Sequence, residues 1–284
     1  MYANLKETLA YAKERGIAVG AFNAHCLEMV PAMLHAAKET NLPIIIQTTA
    51  GTADYVGYDV FVAVVKTLAE QLPVPVTLHL DHATDFAKIK QAVDAGYSSV
   101  MFDGSTLPIA ENIEKTLEVS AYAHPRNVSV EAELGIIGGA EDGVMIDSTQ
   151  VSFTQPEEVS QFLQHVTVDA LALSIGTTHG QYKSKANLQF DLLETIANNH
   201  ARPLVLHGGT GVKDEDIQKC VTRGIVKINV GTELLIAWTR TAKHQFAKAD
   251  LTDSLRNHLI PCNEQIKQVI KAKMAVFALE KASV

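Results

Sequence analysis

The sequence predicts an α/β fold, a (β/α)8 TIM barrel with extra C-terminal helices, with residues 1–284 forming one domain. Three observations carry this: short Val-, Ile- and Leu-rich runs recur eight times, helical stretches separate them, and no GxGxxG turn follows an early run. A run that is apolar along its whole length reads as a strand buried on both faces, the condition of a parallel sheet. Eight such strands joined by crossovers favour closure into a barrel, whereas an open dinucleotide-binding sheet would need the glycine-rich turn.

Taken in order, the N-terminal stretch MYANLKETLAYAKERG reads as an amphipathic helix rather than a signal peptide. The strands are expected at Ile17 to Phe22, Pro43 to Gln47, Val76 to Leu80 and Ser99 to Phe102, then Val128 to Leu134, Ala170 to Ile175, Leu204 to Leu206 and Ile225 to Val230. Helical stretches such as Asp85 to Ala95 and Asp214 to Arg223 follow, stopped by Gly96 and Gly224. The connection from Gly135 to Pro156 is anomalously long and glycine-rich, as functional lids often are. Beyond about Leu251 the chain adds helix to the barrel.

Composition narrows the partners. With 47% hydrophobic and 20% charged residues, the 284-residue chain can bury a large core. Its net charge of −8 argues against nucleic acid and anionic membranes, both of which attract basic surfaces. No apolar run reaches the roughly 18 residues of a membrane span. Cys26, Cys220 and Cys262 are odd in number and lack CxxC spacing, so neither a disulfide framework nor a thiolate metal site is indicated, and a cytoplasmic location fits.

In this fold the strand C-termini and the loops after them form the active face. Asp81 and His82 end the third run in LHLDH, Asp103 and Ser105 follow the fourth in MFDGS, and Glu131 and Glu133 lie on the fifth in VEAELG. His179 follows the sixth in IGTTHG, and His207 ends the seventh in LVLHGGTG. Three histidines on one rim suit a catalytic Zn²⁺, which takes neutral imidazole ligands and keeps an open position for substrate. His79 reads as a packing or supporting residue. The stretches Gly208 to Gly211 and Asn229 to Glu233 enter helices, and glycine-rich backbone at helix N-termini favours phosphate.

In order, HLDH, VEAELG, the glycine-rich loop carrying Glu141, GTTHG, LVLHGGTG and KINVGTE resemble the class II fructose- and tagatose-bisphosphate aldolases over about residues 1 to 245. AFNAH, MFDGS and IGTTHG look closer to the tagatose type. The resemblance implies reversible cleavage of tagatose 1,6-bisphosphate to dihydroxyacetone phosphate and glyceraldehyde 3-phosphate, with fructose 1,6-bisphosphate or a ketose 1-phosphate as alternatives. It makes His82, His179 and His207 zinc ligands, Asp81 the acid/base at the aldehyde oxygen, and Glu141 the loop residue that moves the ketone-side proton. Asp103 and Glu133 match an alternative metal position, or else support the histidines. Asn23, Gly180, Gly208, Gly209 and Thr210, with Asn229, Val230, Gly231 and Thr232, match positions around the substrate, where some glycines also touch a monovalent cation. A homodimer or homotetramer and a companion subunit are further implications.

The sequence departs from the family at Cys26, where asparagine is usual, at Ala140, where Glu or Gln is common, and at KMAVFALEK, which lacks an arginine that grips the distal phosphate in fructose-type members. Besides a metal-dependent hydrolase, a weaker rival, two alternatives stand beside this reading. One is a Schiff-base aldolase using Lys227, which leaves the three histidines unexplained. The other is a non-catalytic subunit, against which the intact set of Asp81, Glu141 and the histidines speaks.

Overall fold

Each of the eight runs forms a strand in the computed structural model, which describes residues 1–141, 144–147, 149–180 and 186–280, with the backbone alone at 141 and 144. In chain order the strands are β1 (Val19–Asn23), β2 (Ile44–Thr49), β3 (Val76–Ala83), β4 (Ser99–Phe102), β5 (Ser129–Leu134), β6 (Gly138–Glu141), β7 (Val144–Ile146), β8 (Ala170–Leu173), β9 (Thr178–His179), β10 (Leu204–Leu206) and β11 (Ile225–Val230). The helices are α1 (Leu5–Glu14), α2 (Val30–Thr40), α3 (Ala50–Val56), α4 (Tyr58–Ala69), α5 (Phe86–Ala95), α6 (Ile109–Ala123), α7 (Pro156–His165), α8 (Phe190–Asn199), α9 (Asp214–Thr222), α10 (Thr232–Phe246) and α11 (Leu255–Phe277). Eight strands close a barrel in the order β1-β11-β10-β8-β5-β4-β3-β2, every pairing parallel.

Because strand side chains alternate between faces, the barrel has two cores. Residues such as Phe22, Ile44, Ile46, Leu78, Leu80, Leu171 and Leu206 pack outward against the helices. Val19, Ala21, Ile45, Ala170, Ala172 and Val205 form a separate cluster that takes in Leu5, Leu9 and Ala12 of α1. The first helix therefore plugs the N-terminal end of the barrel. Its start is fixed by a capping box in which Asn4 Oδ1 accepts from Glu7 N–H at 2.9 Å and Glu7 Oε2 accepts from Asn4 N–H at 3.0 Å.

Three differences from the sequence expectation matter for the site. The helical stretch after β2 is two helices, α3 and α4, broken at Gly57, whose φ of +107° few other residues adopt. The long connection after β5 is not plain loop, for β6 pairs antiparallel with β7 and parallel with β9, aligning Gly139 with His179. The tail is one long helix that spans the barrel wall: Asn263 of α11 donates to the Glu28 carbonyl just past β1, Lys273 Nζ lies 3.3 Å from Glu233 at the start of α10, and Phe277 accepts from Ala18 N–H just before β1.

Candidate active site

Regular alternation would send Asp81 and His82 to opposite faces of β3. A bulge prevents this. β3 and β4 pair Leu80 with Val100 and then Ala83 with Phe102, so Asp81 and His82 together stand opposite one residue. His82 takes φ +47° in the left-handed region, a conformation that costs a non-glycine residue about 1–2 kcal/mol. That distortion lets Asp81 point into the barrel while His82 reaches the same rim from the neighbouring position.

His82, His179 and His207 come together with ligand atoms all within 4.8 Å of one another. Their rings are close to mutually perpendicular, at 78°, 84° and 82°. His179 is held by its backbone between two glycines with positive φ: a Cβ on Gly139 would overlap the His179 carbonyl, and one on Gly208 the Thr178 carbonyl. A second group, His82, Asp103 and Glu133, meets the same distance test.

The partners of the imidazoles decide what the group can hold. His82 Nδ1 lies 2.9 Å from Asp103 Oδ2, and His207 Nε2 lies 2.9 Å from Glu131 Oε1. Burial pushes the Asp103 carboxyl up, but hydrogen bonds from His82 and Ser105 outweigh it and hold the group below the ordinary carboxylate range. An ionised carboxylate only accepts, so each of these ring nitrogens carries its proton, as carboxylates behind metal-bound histidines impose. The two inward nitrogens, His82 Nε2 and His207 Nδ1, lie 2.7 Å apart, with Glu133 Oε2 3.6 Å from the latter. Such an arrangement repels itself unless a proton or a cation stands there. The donor set therefore fits a divalent metal with nitrogen ligands.

Asp81 is fully buried beside this group. Its Oδ2 accepts from Gln47 Nε2 at 2.7 Å and Asn23 Nδ2 at 3.4 Å, and its Oδ1 from Asn229 Nδ2 at 3.2 Å. Deeper in the barrel, Lys227 Nζ sits 3.0 and 2.9 Å from the two oxygens of Glu131. His79 bonds Ser99 Oγ at 2.8 Å and lies 3.8 Å from Glu131; burial and the nearby Lys227 ammonium keep it neutral. Lys227 is fully buried, ion-paired, and lines neither rim cavity, so it has no approach to a carbonyl substrate.

Two cavities flank the histidines. One is lined by Asn23, Thr49, His179, Gly180, Gly208, Thr210, Asn229, Gly231 and Thr232, with His25, Ala140 and Leu235. The other is lined by His82, Asp103, Glu133 and His179, with Asp85, Lys88, Thr84, Thr106, Ile137, Met145, Ile146 and Gln150 among its walls. Of the nine residues matched to substrate, Gly209 and Val230 line neither: Gly209 N–H donates to the Asn229 carbonyl, and Val230 is fully buried in the outer core. The side chain of Glu141 lies outside the described residues, though its backbone ends β6. Cys26 is half-buried, and burial together with Glu28 pushes its thiol up to about 11, so it is no nucleophile at neutral pH. Gln47 and the supporting role of Glu131 were not picked out from sequence; the one signal was a polar residue at the end of an otherwise apolar run.

Fold and rim together define the class: a parallel (β/α)8 barrel that carries, at its strand C-termini, a buried carboxylate and three histidines that could hold a metal. The model of the class-II fructose-bisphosphate aldolase family matches residues 3–281, and the chain belongs to that family. It is thus a class II aldolase, a carbon–carbon lyase, in a family that is generally zinc-dependent. A fructose-bisphosphate aldolase of Staphylococcus epidermidis is 42% identical over 277 residues, covering 96% of each chain. A 6-phospho-5-dehydro-2-deoxy-D-gluconate aldolase of Bacillus velezensis is 39% identical over 279 residues, covering 97% of this chain and 95% of that one. Among solved structures, the YdjI aldolase of Escherichia coli K12 superposes with a TM-score of 0.85 at 29% identity, covering 98% of this chain and 97% of that one. No helix among the described residues is long and apolar enough to cross a membrane.

Proposed function

We propose that the chain catalyses reversible aldol cleavage of a ketose 1,6-bisphosphate to dihydroxyacetone phosphate and glyceraldehyde 3-phosphate, with zinc held by His82, His179 and His207. The observation that carries this is the convergence of His82, His179 and His207, with ligand atoms all within 4.8 Å of one another, beside buried Asp81. Zinc, when bound, supplies a Lewis acid on the carbonyl side of the bond that breaks. Asp81 takes the C4 hydroxyl proton in cleavage and returns it in condensation, and Gln47, Asn23 and Asn229 hold its carboxylate in place for that transfer. Glu141 moves the proton at the ketone-side carbon.

Tagatose 1,6-bisphosphate is the preferred ketose on sequence motifs, with fructose 1,6-bisphosphate the alternative favoured by the relatives' names. The dihydroxyacetone phosphate end occupies the cavity of Gly208, Thr210, Gly231 and Thr232, at the N-terminus of α10. Helix α9 contributes less than its glycines promised, because its first turn already carries Asp214, Glu215 and Asp216. The deciding assay incubates the pure protein with zinc and tagatose or fructose 1,6-bisphosphate and follows triose phosphate release. Cleavage of one ketose well ahead of the other sets the stereochemical preference. No release from either, in protein shown to contain zinc, would sink the bisphosphate reading, and activity only after adding a second chain would show the need for a companion.

A further inference from the structure

Lys227 is one of the largest fully buried side chains in the molecule, and it projects from β11 into the barrel interior. Its ammonium meets both oxygens of Glu131, at 3.0 and 2.9 Å, and Glu131 Oε1 in turn meets His207 Nε2 at 2.9 Å. All three side chains have no exposure to solvent. A buried ion pair is poor value as a source of stability, since apolar residues of similar volume commonly serve as well or better. The proton transfers proposed for Asp81 and Glu141 do not touch the lysine. Its geometry gives it a different use.

We infer that Lys227 is a positioning residue for the metal centre: it clamps Glu131 so that the carboxylate keeps the His207 proton on Nε2 and aims the Nδ1 lone pair at the ion. This rests on the reading of His207 as a ligand. The ammonium donates to Oε1 at 3.0 Å and stands 2.9 Å from Oε2, which holds the carboxylate in the orientation that also presents Oε1 to the imidazole N–H. Without the clamp Glu131 can turn toward His79, whose Nε2 is 3.8 Å away, and His207 loses the acceptor that selects its tautomer. A histidine with its proton on Nδ1 cannot ligate through Nδ1. The lysine thus acts on the metal through two intermediates while touching neither ion nor substrate.

The test uses Lys227→Met and the charge-balanced pair Lys227→Met with Glu131→Gln, which avoids stranding a lone buried charge. Zinc affinity is read by competition with a fluorescent chelator, and the His207 tautomer by ¹⁵N NMR of histidine-labelled, zinc-free protein. Wild-type protein and His207→Ala run alongside. Lys227→Met is expected to weaken zinc by about 10–100-fold, the usual cost of losing support behind a ligand, and to mix the His207 tautomers. The paired variant should fold like the wild type and still bind zinc at least about tenfold more weakly. If either variant folds, binds zinc within about twofold of wild type and keeps the Nε2–H tautomer, the positioning role is wrong. Should neither fold, the pair is a structural element and the role is likewise discarded. Wild-type protein that binds no zinc, or His207→Ala that binds it normally, overturns the ligand reading itself.

Discussion

The two cavities on either side of the histidines recognise ligands by different means. The one beneath α10 is walled by glycine backbone, threonines and asparagines, with no carboxylate or ammonium among its described lining residues. Across the rim, the cavity beside α5 is walled by Asp85, Asp103 and Glu133, and its one described cation, Lys88, is already paired with both oxygens of Asp54 at 2.7 and 2.8 Å. The first can hold a dianion through peptide N–H groups and a helix dipole without depending on a mobile side chain. The second is acidic and partly apolar, a poor host for phosphate and a good one for hydroxyl groups. A barrel can therefore be charge-selective at one end of a substrate and permissive at the other, although both ends are read from one ring of strand termini.

The largest effect expected concerns the group that the cavities share. Replacing His82, His179 or His207 by Ala should lose the metal and abolish cleavage, as metal analysis of each purified variant and triose-release assays will show. Retention of both metal and activity in any of the three would remove that residue from the site. Next in size, Asp81→Ala should keep the metal but lower kcat by roughly 10²–10⁴, typical of a lost acid/base. An unchanged kcat would reassign the proton transfer, most directly to Glu141.

The comparison of the cavities is itself tested by substrate truncation. Loss of the C1 phosphate should lower kcat/KM far more than loss of the C6 phosphate, measured with the bisphosphate and both monophosphates of the preferred ketose. Equal losses would mean that a further cation grips the distal phosphate. Lys88→Ala should alter kcat/KM for the bisphosphate by no more than about fivefold, since its ammonium is already engaged by both oxygens of Asp54 and a partly exposed charge interacts weakly with a further partner. A greater loss would make Lys88 the distal grip after all.

The smallest expected effect lies on the outer wall and guards against misreading acid sensitivity as a property of the cavities. Hydrogen bonds from Lys271 and Lys267 hold the Glu39 carboxyl at about 2, so its pKa is depressed on folding. The stabilisation from this α2–α11 contact is complete above the ordinary glutamate range and is lost as pH falls toward 2. Glu39→Gln should flatten that limb of the melting temperature against pH while leaving cleavage near neutrality unchanged. An acid limb identical to wild type would show that the contact carries no linkage.

Much of the architecture was legible because it follows from periodicity. Eight apolar runs had to be strands buried on both faces, and polar residues at their C-terminal ends, such as His207 after Leu206, could only point at the rim. What escaped were features that break periodicity or act at a distance. The bulge at Asp81 and His82 leaves no mark in composition, for it arises from pairing with β4. Pairing of β6 with β9 joins segments some forty residues apart, so Gly139 of the long connection lies against the backbone of His179. Lys227 was read as a possible nucleophile because sequence shows a lysine in a strand but not the Glu131 opposite it.

Central to the account is a metal ion between His82 and His207, with His179 as the third ligand. X-ray absorption at the zinc edge, on metal-stripped protein titrated with zinc while triose release is followed, tests it most directly. The expected result is one zinc per chain, a first shell containing three nitrogens at about 2.0–2.1 Å, and activity that rises in step with occupancy. Full activity in the stripped protein, or a zinc shell without histidine nitrogen, would contradict it.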